Sequence, residues 1–174
     1  IKIEEQLKNP KKILGLNDKI EKIRSNILRS SKKITISKLR KISKIAYPNY
    51  WLLQSEKMII FQIEHFFTKP RKKFDFVVKK SEESKFYDLI IVTKDREQLF
   101  LNIISILAFE NLSVFEARIF TLDDGTVIDT FKFSFNTPDI LNKNDFTRII
   151  ESIKKKLKAL GEDDLLKIKV KEES

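Results

Sequence analysis

The chain has 174 residues, enough for one good hydrophobic core or for one compact domain with an extension. It contains no cysteine, which excludes disulfides and thiolate metal sites and fits a reducing compartment. The longest uncharged apolar run, residues 99–109, is too short to span a bilayer, and no basic-then-apolar signal peptide is present. We therefore expect a cytoplasmic protein with no membrane contact. Because the first residue is Ile1, we also expect it to be part of a longer chain.

The formal net charge of +10 is unevenly distributed. Residues 1–85 carry 22 Lys and Arg against 9 Asp and Glu, whereas residues 86–174 carry 13 against 16. This asymmetry indicates two parts of different kind, with a boundary near residues 81–84. We predict a helical segment over 1–69, a lysine-rich edge strand and linker over 70–85, and a folded domain over 86–174.

Three amphipathic helices are predicted in the helical segment. Apolar residues recur at helical spacing over residues 17–30, 37–46 and 55–69. Ser55 is suited to cap the third helix. Pro48 ends the second, because proline lacks the N–H that a continuing helix requires.

From residue 86 onward, the pattern predicts a ferredoxin-like βαββαβ domain. The continuous apolar run Leu89–Val92 indicates a strand buried on both faces. A helix follows, then a hairpin that turns at Gly125, then a second helix that ends at Gly161. Residues 165–170 are a candidate last strand. The predicted fold class is therefore α+β, with a helical segment before the ferredoxin-like domain.

Few residues suited to catalysis are present. His65 is the single histidine, so a two-histidine metal site cannot form within the chain, and we expect it to pack or lie at the surface. None of the three glycines belongs to a phosphate-binding loop. Asp123 and Asp124 form an acidic pair, but they precede Gly125 in a turn, where Asp is favoured for its backbone preference. We predict no catalytic residue, metal or cofactor in this chain.

The basic segments keep a second interpretation open. Residues 8–12, 29–33 and 69–73 are rich in lysine and able to meet nucleic-acid phosphates. The ferredoxin-like order is also that of the common RNA-recognition domain. That domain requires a basic-Gly-aromatic signature, which the aromatic strand at residues 129–135 lacks. A solvated basic face is the preferred interpretation, and a nucleic-acid-binding module is the alternative.

The turn TKDREQ, residues 93–98, joins the first strand of the domain to its first helix. A helix start presents unpaired amides and a partial positive charge, which can hold the carboxylate of a small ligand such as an amino acid. Simple capping by Asp95, with Glu97 favourable to the helix dipole, explains the same residues. Asp129 lies on the same alternation face as the phenylalanines of its strand, and either a bulge or a hydrogen bond to a backbone amide would explain it.

Residues 93–131 resemble the first ACT domain of the bifunctional PII-protein uridylyltransferase and uridylyl-removing enzyme. That family has an Asp-Arg-Pro-Gly-Leu-Phe turn, an Ala-Arg-Ile strand, an acidic-Gly turn and an Asp-Thr-Phe strand. The matching residues are Asp95, Arg96, Glu97, Gln98, Leu99 and Phe100, then Ala117, Arg118 and Ile119, then Asp124 and Gly125, and finally Asp129, Thr130 and Phe131. Upstream, residues 47–66 resemble the stretch that joins the family's phosphohydrolase domain to its ACT pair, so the resemblance covers about residues 40–160.

The resemblance implies a cytoplasmic nitrogen sensor. In that family, a nucleotidyltransferase domain attaches UMP from UTP to a tyrosine of the PII protein with magnesium, and a His-Asp domain removes it. Two carboxy-terminal ACT domains respond to glutamine and choose between the two reactions. This chain would hold the end of the His-Asp (HD) domain, the linker and the first ACT domain. Mg²⁺ is implied only for the parent enzyme; the implied partners are glutamine, the PII protein, and a second ACT domain or a second copy.

The implied effector-binding residues are Asp95, Arg96, Glu97, Gln98, Leu99, Ala117 and Arg118. The chain departs from the family at one point, since Glu97 and Gln98 stand where the family has Pro-Gly. Glycine lets backbone amides approach a ligand, whereas Gln98 adds a side chain and Glu97 repels a ligand carboxylate. Two roles stay open for this turn, effector binding and packing against the second ACT domain. An ACT regulator of an amino-acid biosynthetic enzyme is a further alternative.

Overall fold

The computed structural model describes residues 10–70, 72–83, 85–136 and 143–172. The chain divides into two compact units. One unit holds the helices before residue 72 together with Leu122–Asp124, and the other holds Lys72–Thr121 and the chain from Gly125 onward. Among the described residues, no helix is both long and apolar enough to cross a membrane.

The helical unit follows the predicted order with one addition. Its helices are α1 (Pro10–Ser30), α2 (Ile36–Ile45), α3 (Pro48–Leu52) and α4 (Glu56–Gln62), and α4 continues into a π-helical turn (Ile63–Phe67). Ser55 caps α4 as predicted, because its hydroxyl accepts a hydrogen bond from the N–H of Met58 at 3.1 Å. Pro48 does more than end the preceding helix: it begins α3, since proline is favoured in the first turn of a helix.

The interior of the helical unit is aromatic and aliphatic. Its most buried large side chains are Ile27, Tyr50, Trp51, Ile59 and Ile63. The buried amide of Gln62 exchanges hydrogen bonds with Gln54, at 3.0 and 3.3 Å, so its polar atoms are satisfied. His65 is exposed and stacks on the ring of Phe61, with 5.5 Å between ring centroids. This is the packing or surface role expected of it.

The second unit is a four-stranded antiparallel sheet with two helices, which confirms the α+β class. Its elements are β1 (Phe74–Lys80), β2 (Tyr87–Lys94), α5 (Leu99–Phe109), β3 (Leu112–Thr121), β4 (Thr126–Phe135) and α6 (Lys143–Glu172). The strand order is β1-β2-β4-β3. The strand predicted from residue 86 is therefore interior, and the predicted lysine-rich strand is an edge.

The chain order of the sheet differs from the prediction. In a βαββαβ domain the last strand lies beside the first, but here β1 takes that place, with Val77 opposite Ile90 of β2. Residues 165–170 lie in α6, which runs through Gly161 instead of ending there. A short hairpin from β1 to β2 closes a small loop, which costs less entropy than a strand returning from the end of the chain. The observed order is ββαββα.

The core of the sheet unit lies on the face that α5 and α6 cover. It is formed by Leu89, Ile91, Leu99, Ile103, Leu107, Leu112, Phe131, Phe133, Phe135, Ile150, Ile153 and Leu157. Ile90 and Val92 are buried as well, so the prediction from the run Leu89–Val92 is confirmed. Full burial of one such side chain stabilises the folded state by about 1.5–3 kcal/mol. The packing of α5 on this layer therefore holds the start of the helix in place beside β4.

Candidate functional site

Main-chain hydrogen bonds fix the turn that precedes α5. The N–H of Asp95 donates to the carbonyl of Gly125, just before β4, at 3.1 Å. The N–H of Leu99 donates to the carbonyl of Arg96 at 3.5 Å and closes the turn. One step further, the ring of Phe100 packs against Phe131 of β4, with 5.7 Å between centroids. Residues 125–131, at the start of β4, therefore run along the turn and the start of α5.

Gln98 keeps a backbone conformation that favours glycine. Its φ is 60°, in the left-handed region, although it stands where the resembled family has glycine. A non-glycine residue in this region costs on the order of 1 kcal/mol. The path of the turn is thus the one a glycine would permit, with a side chain added at its surface.

The start of α5 carries no side-chain cap among the described residues. Gln98 occupies the cap position and makes no side-chain cap hydrogen bond. Within the described part of the chain, no N–H of the first helical turn donates a hydrogen bond to the Asp95 carboxylate. The capping role considered for Asp95 is therefore not observed, and the helix keeps its positive end.

Asp129 is a buried carboxyl close enough to Asp95, in the turn before α5, for the two charges to repel each other. It lies between Ile91 of β2 and Ile119 of β3 and shares the face of Phe131. Its side chain is only 2% exposed, and its Oδ1 has no hydrogen-bond partner among the described residues. No bulge turns it outward, because the register shift of this hairpin falls on β3 between residues 114 and 116.

The environment of Asp129 disfavours its charge. Burial, and after it repulsion from the Asp95 carboxylate, raises the pKa of Asp129 to about 7 from the ordinary 3.8. Leaving a buried acceptor unsatisfied costs about 1–3 kcal/mol. A ligand ammonium or amide that reached Asp129 would remove this cost and neutralise the charge.

Two of the predicted effector residues face the core instead of the surface. Leu99 is 4% exposed and packs in the core layer. Arg96 donates from its guanidinium to the carbonyl of Leu160 in α6 at 3.3 Å and lies 5.4 Å from the ring centre of Phe74 in β1. Arg96 thus joins the turn to α6 and β1.

The remaining predicted residues divide between the two faces of the sheet. Asp95, Glu97 and Gln98 are exposed at the turn. Ala117 lies opposite Phe131 on the helix-covered side, where it is exposed. Arg118 is on the other face and pairs with Glu116 at 2.5 Å.

The structure adds Asp129 and Ile119 to the site. Asp129 was visible in the sequence as a charge on an apolar alternation face, but its lack of a partner was not. Ile119 lies opposite Asp129 and is 49% exposed, which places an apolar wall beside the carboxyl. The candidate site is therefore the start of α5, Asp95, Asp129 and the adjacent part of β3.

Metal binding finds no support in the described residues. No group of three or more His, Cys, Asp or Glu side chains is gathered there in a way that could hold an ion. Asp123 of the acidic turn accepts a hydrogen bond from the Tyr47 hydroxyl at 2.9 Å, and its N–H donates to the carbonyl of Ile45 at 2.8 Å. Both contacts lie within the helical unit as defined above and give Asp123 a structural role.

Comparison with protein-family models and with curated proteins does not identify a family for the chain. No protein-family model matches it, and no curated protein matches it.

Proposed function

We propose that this chain is the glutamine-sensing ACT region of a PII-protein uridylyltransferase and uridylyl-removing enzyme. The observation that carries the proposal is the unpaired, buried carboxyl of Asp129 beside an uncapped helix start. The motif resemblance over residues 93–131 supplies the family. The same chemistry suits any amino acid with free ammonium and carboxylate groups, and the resemblance selects glutamine.

The two ends of an amino acid match the two parts of the site. The amides at the start of α5 and the helix dipole attract the ligand carboxylate. The Asp129 carboxyl, joined by Asp95, accepts hydrogen bonds from the ligand ammonium, and a charge-assisted bond of this kind is about twice as strong as a neutral one. The exposed charge of Glu97 weakens the first contact only slightly, because water screens it.

Catalysis in this proposal belongs to other parts of the parent enzyme. Transfer of UMP to the PII protein with Mg²⁺, and its hydrolytic removal, require motifs that this chain does not carry. Glutamine acts by binding more tightly to one of two states of the cytoplasmic parent enzyme, which shifts the balance between the two activities. Reading the coding sequence before Ile1 distinguishes this parent from an amino-acid biosynthetic enzyme.

Calorimetric titration of the chain with glutamine tests the site. We expect saturable binding to the wild type and a loss of at least about tenfold in affinity for Asp129→Asn, since a charge-assisted contact contributes about 1.5–3 kcal/mol. The analogue of glutamine that lacks the ammonium group should bind both proteins equally weakly.

Asp88→Asn is the matched control, because Asp88 is equally buried in the same sheet but faces the opposite side. It should bind glutamine like the wild type. Absence of heat at millimolar glutamine, or equal loss in both variants, would rule out the proposed site.

The edge strand β3 supports the proposed second ACT domain or second copy as a partner. In the described residues β3 pairs only with β4, and two large side chains on it, Phe115 and Ile119, are 63% and 49% exposed. A long apolar edge is normally covered, because its free main-chain groups recruit another strand.

We expect Ile119→Lys to abolish self-association in sedimentation experiments. Ile36→Lys, at an isoleucine 64% exposed in the helical unit, should leave it unchanged.

A further inference from the structure

A cavity of about 530 Å³ lies in the sheet unit between the start of β1 and α6. Phe74 and Phe76 of β1 line it, together with Lys72 and Lys73 on one side and Lys154 and Lys158 on the other. Its volume falls in the range of ligand pockets, about 300–1,000 Å³. It lies on the opposite margin of the sheet from β3 and shares no residue with the candidate effector site.

The floor of the cavity is aromatic, and a glycine in α6 allows one of its rings to pack closely. Phe74 and Phe76 are half-buried and alternate onto the side of the sheet that faces α6. A Cβ at Gly161 would lie 3.0 Å from the ring of Phe74. The lack of a side chain there lets the Phe74 ring pack directly against α6, which places the ring in the wall of the cavity.

One side of the cavity is the open edge of the sheet. Within the described residues, β1 pairs only with β2. The N–H of Phe76 donates to the carboxylate of its neighbour Asp75 at 3.0 Å. This is the contact expected for an amide that points away from β2, and an incoming main chain could replace it. Such an edge can accept an extended peptide as an additional strand.

The rim of the cavity is positively charged. Four lysines outnumber the two carboxylates in the lining, Asp75 and Glu162. Lys154 pairs with Glu151 at 2.8 Å, and Lys72 approaches Asp75 at 3.9 Å. Exposed pairs of this kind contribute about 0–1 kcal/mol each, so an acidic partner can displace them at little cost.

We propose that this groove binds an extended acidic peptide segment of a partner protein, which adds to β1 as a fifth strand. One apolar side chain of the peptide enters the cavity against Phe74 and Phe76. Acidic side chains two residues before and after it, on the same face of the strand, meet the lysines of the rim. The main chain supplies affinity, and the apolar and acidic positions supply specificity.

A peptide suits these features better than a nucleic acid. Single-stranded nucleic acids stack their bases on open aromatic faces. Here the ring of Phe74 is covered by the Arg96 guanidinium and by α6, and the two Phe rings meet edge to face with 6.1 Å between centroids. An open strand edge also offers main-chain N–H and C=O groups, which pair with the main chain of an incoming peptide.

The test is an NMR titration of the ¹⁵N-labelled chain with the peptide Thr-Glu-Thr-Val-Thr-Glu-Thr. We expect saturable shifts centred on the amides of β1, with Phe76 among the largest, and on the facing turn of α6. Gly161→Leu, whose side chain would collide with the Phe74 ring and displace it from the cavity wall, should abolish them. Lys73→Glu combined with Lys158→Glu should weaken binding by about tenfold, and Lys155→Glu, an exposed lysine outside the lining, by less than about twofold.

Three results would overturn the proposal. The first is a lack of shifts in β1 and α6 at millimolar peptide. The second is equal binding of the peptide with Lys in place of Glu. The third is tighter binding of a single-stranded RNA that Lys158→Glu weakens, which would make the groove a nucleic-acid surface. Circular dichroism of each variant separates a lost site from a lost fold.

Discussion

Two buried aspartates on opposite faces of the same sheet have different electrostatic surroundings. Asp88 of β2 and Asp129 of β4 are both 2% exposed. The carboxylate of Asp88 lies 3.6 Å from the ammonium of Lys79, and Lys132 also faces it. Asp129 faces only another carboxylate, that of Asp95. The lysines oppose the effect of burial on Asp88 without cancelling it, because the pKa of Asp88 is still raised and its Oδ1, like that of Asp129, has no hydrogen-bond partner among the described residues. The difference between the two carboxyls is therefore the nearby cation, which Asp88 has and Asp129 lacks within the described part of the chain.

The largest effect is expected from Asp129→Asn. The pKa of Asp129 is about 7 when folded and 3.8 ordinarily, so the folded state binds the extra proton and this group's stability contribution falls as pH rises from about 4 to 7. A pKa difference of about three corresponds to about 4 kcal/mol of stability, and the cost of burying the asparagine amide offsets a part of this gain. We expect the variant to gain about 2–4 kcal/mol at pH 8 in urea denaturation.

The pH profile decides whether the two aspartates differ as described. The wild type should lose stability between about pH 4 and 7, and Asp129→Asn should lose most of that slope. Burial also raises the pKa of Asp88, but Lys79 and Lys132 oppose the shift, so Asp88→Asn should change the slope less. Equal effects of the two substitutions would contradict the comparison.

Lys79→Met should make Asp88 resemble Asp129. Removing the ammonium leaves a buried carboxylate with less compensation, which costs about 1–3 kcal/mol at pH 7. The cost should shrink in acid, where Asp88 becomes protonated. Urea denaturation at pH 7 and pH 4 measures both values, and a pH-independent cost would indicate lost packing of the lysine stem instead.

Gln98→Gly tests the left-handed backbone conformation of the turn before α5. Relief of the left-handed conformation should stabilise the chain by about 0.5–1 kcal/mol. Asn111→Gly is the comparison, because Asn111 follows α5 with a φ of 56°, but it should gain less, since asparagine tolerates this region and its side chain accepts a hydrogen bond from Asn136 at 3.0 Å. Only Gln98→Gly should also strengthen glutamine binding, since it opens the turn where the ligand carboxylate is expected. A larger gain in affinity from Asn111→Gly would separate the turn from the site.

The smallest effect is expected from Asp95→Asn. Removing the repulsion of Asp95 should lower the pKa of Asp129, but by less than burial raises it, because burial is the larger cause. Because Asp95 is exposed and water screens its charge, we expect the free energy of unfolding at pH 8 to rise by only a few tenths of a kcal/mol. NMR titration of the Asp129 carboxyl follows this shift directly, and an unchanged midpoint would show that Asp95 does not act on it.

Much of the sheet unit follows from local patterns. The doubly buried run Leu89–Val92, the hairpin at Gly125 and the lysine-rich edge strand were predicted because each depends on nearby residues. Residues 165–170 were assigned to a strand wrongly, since a short alternating apolar run also fits one side of a helix. The spacing of apolar residues alone does not distinguish a strand from a helix at residues 165–170. The distinction depends on which segment pairs with β2, and that segment is β1, far away in the sequence.

The site was less visible than the fold. The turn at residues 93–98 could be named from its motif, but the role of Arg96 could not, because its partner Leu160 is 64 residues away. The same holds for Asp129. Its alternation placed it on the apolar face, yet the absence of a compensating group depends on every side chain that β2, β3 and α5 bring to that face.

The hairpin that places β1 beside β2 has a consequence for synthesis on the ribosome. All four strands have emerged once Phe135 leaves the exit tunnel, so the sheet can pair while α6 is still inside the tunnel. The last helix then seals one side of an assembled layer instead of waiting for a final strand. Arrest of translation shortly after that point should yield a nascent chain whose strand amides already resist hydrogen exchange.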